Sequence, residues 1–104
     1  MISKTILKAI IQPHLIKWST WHEQAARNYA KLFRNGITAK ILQYGGHTWL
    51  ETGNWIVDEI YPDGIFDKNK YYENFEDRRI FGRIIMSYNE LQRQLKSAGK
   101  NMRW

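Results

Sequence analysis

The residues best suited to proton transfer near neutral pH are three histidines and ten carboxylates, since the chain has no cysteine. His47 and Glu51 lie together in an alternating stretch, HTWLE, and Arg83 lies in a later apolar stretch. A metal-independent ribonuclease needs a general base, a general acid and a cation near the phosphate. His47, Glu51 and Arg83 could supply these groups from neighbouring strands. Because any basic α+β chain of this size allows a similar set, ribonuclease catalysis is the last of three functional hypotheses.

Metal ligation has little support in the order of residues along the chain. No two histidines have helical spacing, and there is no cluster of cysteine and histidine. The acidic residues that could gather a magnesium ion follow no ligand pattern; they are Asp58, Glu59, Asp63 and Asp67. Gly45-Gly46 and Gly53 are typical of hairpin turns and not of a phosphate-binding loop. We therefore expect no metal, no cofactor and no metal-dependent activity.

Positive charge on one helix gives the leading hypothesis. Arg27, Lys31 and Arg34 recur at i, i+4 and i+7, so they share one face of a predicted helix, which we call the basic face. Glu23 is placed to pair with Arg27, whereas repulsion between Arg27 and Lys31 costs about 0.2–0.5 kcal/mol. Such a face predicts an anionic partner, and the phosphates of RNA or DNA fit it. The alternative is that each cation is ordinary solvated surface.

Charge is also segregated along the whole chain. Residues 1–57 hold seven Lys/Arg and two Glu, giving +5, and residues 58–77 hold two Lys and seven Asp/Glu, giving −5. Residues 78–104 hold seven Lys/Arg and one Glu, giving +6, so the total is +6. A basic body of this kind predicts a small, non-enzymatic nucleic-acid-binding protein. The expected phosphate contacts are Arg27, Lys31, Arg34, Arg78, Arg79 and Arg83.

The acidic segment 58–77 supports the second hypothesis, a protein-binding module or inhibitor. The segment mixes aromatic and acidic residues, and such a surface could bind a basic protein. Trp104 lies in a polar tail, 100–104, where no apolar pattern accounts for it. The expected protein contacts are Asp67, Tyr71, Tyr72 and Trp104.

The element that must position the basic face is a helix over Thr20–Gly36. Thr20 and Glu23 form a capping box, and Asn35-Gly36 supplies a left-handed C-terminal cap onto which Ile37 can fold. The apolar stripe of this helix should be buried against strand residues such as Ile41 and Ile56; it contains Trp21, Ala25, Tyr29, Leu32 and Phe33. A shorter helix ending at Pro13 should precede it.

A change of period after Gly36 predicts strands. Three strands, ITAKILQY, HTWLE and WIVDEIY, should form a meander through turns at Gly45-Gly46 and at residues 52–54. Residues 62–77 predict an ordered acidic aromatic loop. Residues 76–98 allow either one helix or a strand, IFGRIIM, followed by a helix with Ser87 and Glu90 as a capping box. The second is favoured, because apolar residues crowd both faces of the strand.

These elements indicate a single α+β domain of 104 residues. The expected order is two N-terminal helices, an antiparallel meander of three to four strands and a C-terminal helix. Lys4, Lys8 and Pro13 interrupt the first apolar stretch, so we expect neither a signal peptide nor a membrane span. The absence of cysteine fits a reducing compartment, and we expect a cytoplasmic protein with no membrane partner.

Overall fold

A computed structural model describes residues 2–11, 20–44, 47–62, 64–73 and 84–97. Within these ranges the chain forms four helices and five strands. The helices are α1 Lys4–Ile10, α2 Trp21–Arg34, α3 Lys68–Glu73 and α4 Tyr88–Ser97. The strands are β1 Lys40–Tyr44, β2 His47–Thr52, β3 Trp55–Val57, β4 Ile65–Phe66 and β5 Ile84–Met86. No helix in the described ranges combines the length and apolarity needed to cross a membrane.

Both ends of α2 form as the sequence predicts. At the start, Thr20 Oγ1 accepts a hydrogen bond from the Glu23 backbone N–H at 3.2 Å. At the end, Gly36 adopts a left-handed φ of 74°, and the Ile37 backbone N–H donates to the Leu32 carbonyl at 2.9 Å. This returning bond defines the C-terminal cap. Local capping chemistry therefore fixes the length of α2.

The apolar stripe of α2 is buried only in part. Leu32 is fully buried and Ala25 nearly so, whereas Trp21 and Tyr29 are half-buried. The prediction is wrong for Phe33, whose side chain is 70% exposed. Adjacent helical residues differ by about 100° around the axis, so Leu32 can face the sheet while Phe33 turns away from it.

The sheet is antiparallel throughout, with the strand order β4-β3-β2-β1-β5. The predicted meander of β1, β2 and β3 is confirmed, and Gly53, with a φ of 56°, lies in the predicted turn between β2 and β3. The predicted turn at Gly45-Gly46 lies outside the described residues. The strand count exceeds the three to four predicted, because β4 and β5 add to the two edges of the meander.

The segment predicted as an ordered loop over residues 62–77 contains regular structure instead. Its described part forms β4 and α3, which are joined through Asp67 with a left-handed φ of 72°. Tyr71 and Tyr72 of α3 are buried against the sheet. Burial of these two rings stabilises a helix too short to persist alone.

The C-terminal quarter follows the strand-then-helix alternative. β5 pairs with β1, with Met86 opposite Ile41, and α4 begins directly afterwards. Ser87 Oγ accepts a hydrogen bond from the Glu90 backbone N–H at 3.1 Å, which is the predicted N-terminal cap of α4. The cap and the apolar strand before it thus separate two elements that periodicity alone would merge.

Alternation along the strands creates two apolar cores, one on each face of the sheet. Helices α1, α2 and α4 cover the first face, and α3 covers the second. Ile41 contributes to the first core with α2, as predicted, but Ile56 belongs to the second core. Buried residues of the first core include Leu7, Leu32, Ile41, Leu50 and Leu91; those of the second are Leu42, Trp49, Ile56, Tyr71 and Tyr72.

Candidate functional site

Strand β2 presents its functional side chains to the second face of the sheet. His47, Trp49 and Glu51 alternate with residues that face α2, so all three point toward the side covered by α3. A strand rises about 3.4 Å per residue, which places His47 and Glu51 roughly 13 Å apart along β2. The two residues therefore belong to separate polar groups.

The first group, which we call the His47 cluster, consists of His47, Asp58 and Glu59. His47 Nε2 lies 2.6 Å from Asp58 Oδ1, and His47 Nδ1 lies 2.9 Å from Glu59 Oε1. The side chain of Asp58 is fully buried, that of His47 is 16% exposed and that of Glu59 is 39% exposed. The cluster thus reaches from the second core to the surface.

Two further contacts hold the components of this cluster in place. The Tyr71 hydroxyl donates to Asp58 Oδ2 at 2.5 Å, and the Glu59 backbone N–H donates to Oδ1 at 2.6 Å. The His47 ring stacks on Trp49 with centroids 5.3 Å apart. His47 Nε2 is buried, and the polar atom that faces it is Asp58 Oδ1.

The same contacts determine the charge of Asp58. Burial raises the pKa of this carboxyl, but interaction with His47 and the hydrogen bond from Tyr71 outweigh burial and hold the pKa below its ordinary value. Asp58 is therefore ionised at neutral pH. His22, in the first turn of α2, is half-buried. Burial and the nearby His47 lower the pKa of His22, and Glu59 opposes them, so the start of α2 lies close to the cluster.

The lowered pKa of Asp58 predicts an acid-sensitive contribution to stability. Because the folded pKa lies below the unfolded one, this contribution is complete above about pH 5 and is lost as the pH falls from there through the lowered pKa of the folded state. Asp58→Asn should lower the melting temperature at pH 7 and flatten its decline on acidification. Thermal melts of both proteins across this range measure the effect, with Asp67→Asn as the control. Parallel curves for wild type and Asp58→Asn would contradict the prediction.

The second polar group surrounds Glu51. The Tyr72 hydroxyl donates to Glu51 Oε2 at 2.9 Å and accepts from Trp49 Nε1 at 3.0 Å, while Lys68 Nζ lies 3.5 Å from Glu51 Oε1. Glu51 is only 6% exposed. These contacts satisfy a buried carboxylate, and they leave it engaged within the core.

The ribonuclease set predicted from the sequence is not brought together in the described residues. His47 and Glu51 lie in different polar groups, and Arg83 lies outside the described residues. The carboxylates beside His47 would also repel a phosphate. The structure therefore gives no support to phosphoryl chemistry at His47.

Two of the predicted protein contacts are occupied inside the molecule. Tyr71 is fully buried and Tyr72 is 5% exposed, and their hydroxyls bond the buried carboxylates of the second face. Asp67 Oδ1 accepts from the Asn69 backbone N–H at 3.1 Å, which stabilises the local turn. Trp104 lies outside the described residues. Packing of α3 on the sheet thus removes both tyrosines from the surface available to a partner.

The acidic residues considered for magnesium are divided by the fold. Asp58 and Glu59 meet His47, Asp67 belongs to the turn before α3, and Asp63 lies outside the described residues. Sequence reasoning did not join His47 to Asp58. The last observed pair between β2 and β3 is Leu50 with Val57. Counting one residue further from the turn at Gly53 sets Asp58 opposite Trp49 and diagonal to His47, and this count is the sequence signal for the pair.

The basic face of α2 lies at the surface only in part, because its three cations differ in exposure. Arg27 pairs with Glu23 at 3.5 Å, and its side chain is 13% exposed. Lys31 is half-buried, and Arg34 is exposed. The other predicted phosphate contacts, Arg78, Arg79 and Arg83, lie outside the described residues.

A groove of about 340 Å³ adjoins Arg34 between α2 and α4; we call it the aromatic groove. Tyr29 and Tyr88 stack in it with ring centroids 5.1 Å apart and planes at 23°. Burial raises the pKa of Tyr88, and the positive charge of Arg34 opposes this, which places Arg34 close to the tyrosine. The residues that line the aromatic groove are Tyr29, Ala30, Phe33, Arg34 and Tyr88.

Comparison with known proteins identifies no relative of this chain. No protein-family model, curated protein sequence or solved structure matches the chain. The case for a function therefore depends on the His47 cluster, the basic face and the aromatic groove.

Proposed function

We propose that this protein is a small, non-enzymatic binder of single-stranded nucleic acid, RNA or DNA, which contacts it through the basic face and the aromatic groove. One observation carries the proposal: Phe33, 70% exposed, lies in a groove with Tyr29 and Tyr88 and directly beside Arg34. Aromatic rings next to cations are the combination that binds single strands without base pairing.

The exposed ring favours single strands over duplexes. Every unpaired base has a face that can stack on an aromatic side chain, whereas the bases of a duplex already stack on one another. The groove is open, and at about 340 Å³ it falls within the range of small-ligand sites. A base stacked on Phe33 would cover apolar surface that water now contacts.

The charges of α2 supply the second half of the interaction. Lys31 and Arg34 are less than one helical turn apart, so they can contact successive phosphates of a strand whose base occupies the groove. The net charge of +6 adds a long-range attraction for any polyanion. Phosphate contacts of this kind carry no sequence information, so the expected binding is weakly specific.

Replacing Phe33 tests this proposal. Phe33→Ala should weaken binding to a fluorescein-labelled single strand by about 5- to 100-fold, because one stacked base contributes about 1–3 kcal/mol. The salt dependence should not change, since no charge is removed. Fluorescence anisotropy titrations at fixed salt measure the effect.

Ile85→Ala is the matched control for this experiment. Ile85 is also a large exposed apolar residue, 64% exposed, but it lies on β5 away from the groove. Its replacement should leave the affinity unchanged. If Phe33→Ala binds as tightly as wild type, or if both variants lose affinity equally, the aromatic groove is not a stacking site.

The remaining expectations stay predictions. The protein-binding role of segment 58–77 was expected to use Tyr71 and Tyr72 at the surface, and both side chains are buried. Trp104, the other aromatic contact expected, lies outside the described residues. A cytoplasmic location is consistent with a chain that binds nucleic acid and contains no cysteine.

A further inference from the structure

We propose that the His47 cluster is a binding site for a divalent transition-metal ion, with Nδ1 of His47 and the carboxylate of Glu59 as ligands and with Asp58 as the carboxylate that orients the His47 ring. One ligand atom from each residue lies within 4.8 Å of the other two. The expectation of no metal rested on spacing along the chain, which does not reveal residues that meet across a hairpin. The site is separate from the aromatic groove, so the two proposals stand or fall independently.

The distance between His47 and Glu59 is close to that of two ligands in one coordination sphere. Nitrogen and oxygen ligands bind zinc at about 2.0–2.2 Å, so neighbouring ligand atoms lie about 3 Å apart or slightly more. His47 Nδ1 and Glu59 Oε1 are already 2.9 Å apart. Asp58 Oδ1 lies 2.6 Å from Nε2, on the other side of the ring. Nδ1 can therefore bind the ion together with Glu59, while Nε2 keeps Asp58 beside it. A carboxylate on the second ring nitrogen is the usual support of a metal-bound histidine.

The surroundings of the cluster restrict the movement of its ligands. Tyr71 holds one oxygen of Asp58, the Glu59 backbone N–H holds the other, and Trp49 stacks on the His47 ring. Side chains fixed before binding lose little entropy when the ion arrives. Glu59 is 39% exposed and His47 is 16% exposed, so an ion can enter from solvent on the Glu59 side.

Charge and ligand type indicate the class of ion. Two carboxylates beside one imidazole make a locally negative site on a chain of net charge +6. Imidazole suits zinc and other first-row transition metals, whereas magnesium prefers oxygen ligands and retains its water. We therefore expect Zn²⁺ and Mn²⁺ to bind and Mg²⁺ to bind far more weakly.

Isothermal titration calorimetry of the full chain with zinc chloride tests the proposal. The wild type should bind one Zn²⁺ per chain, Mg²⁺ should bind at least about tenfold more weakly, and Glu59→Gln should reduce zinc affinity at least about tenfold. Glu59 is partly exposed, so this variant should still fold. Glu73→Gln, an exposed carboxylate on α3, is the matched control and should bind like the wild type.

A second measurement keeps the test independent of any variant. Mn²⁺ added to the wild type should broaden the NMR resonances of the His47 ring and the Trp49 indole before those of Tyr29 and Tyr88 in the aromatic groove. The proposal is overturned if no zinc binding is detected, if Glu59→Gln binds zinc like the wild type, or if Mn²⁺ broadens the resonances of Tyr29 or Tyr88 first.

Discussion

Leu32→Ala should reduce the free energy of unfolding by about 2–5 kcal/mol, because it leaves a cavity in the first core. Leu32 is fully buried between α2 and the sheet, and its carbonyl also accepts the bond that closes the helix. Small domains have a total stability of only about 5–15 kcal/mol, so this one change removes a large part of it. Urea unfolding followed by tryptophan fluorescence measures the loss.

The neighbouring residue provides the control. Phe33→Ala removes a larger side chain from the same helical turn, yet Phe33 is 70% exposed, and the expected loss is below about 1 kcal/mol. Equal losses for the two variants would mean that the stripe does not face the core as described. A wild-type stability for Leu32→Ala would overturn the packing of α2 on the sheet.

Replacing Arg27, Lys31 and Arg34 together by glutamine should weaken nucleic-acid binding at least about tenfold near 100 mM salt, because the phosphate contacts of Lys31 and Arg34 are lost. Arg27, which is 13% exposed and paired with Glu23, adds at most a third contact. The fold should survive, since Lys31 and Arg34 lie at the surface and a glutamine amide at position 27 can still donate to Glu23. Anisotropy titrations measure affinity, and circular dichroism confirms the fold.

A second triple variant separates the basic face from net charge alone. Lys4, Lys40 and Lys70 are exposed lysines on α1, β1 and α3, and their change to glutamine also lowers the net charge from +6 to +3. This control should lose much less affinity than the variant of α2. Equal losses in the two variants would show that binding depends on total charge and not on the basic face.

Short-range signals predicted the fold well. The caps of α2 and α4 depend on side chains within a few residues of the backbone groups that they satisfy, so Thr20, Gly36 and Ser87 could be recognised from the sequence. The meander was also predictable, because its turns are short and its pairing is local. Each of these elements is specified within its own stretch of chain.

Features that depend on distant contacts were not predicted. The spacing of apolar residues in α2 could not show that Phe33 would be exposed. Which side of the helix is buried depends on how α4 and the sheet pack against it. Tyr71 and Tyr72 fold onto the sheet because they meet Asp58 and Glu51, residues 13 and 21 positions away. The His47 cluster likewise joins residues that are distant along the chain, since His47 meets Asp58 across a hairpin. Tertiary packing of this kind outweighs the secondary-structure propensity of each stretch.

The salt dependence of binding tests the proposed function most directly. Anisotropy titrations of the wild type with a labelled single strand, between about 50 and 300 mM salt, should give log affinity falling linearly with log salt by about 0.7 per phosphate contact. The α2 triple variant should show a slope shallower by up to about two units. A wild type that fails to bind at the lowest salt, or whose slope matches that of the triple variant, would contradict nucleic-acid binding through the basic face.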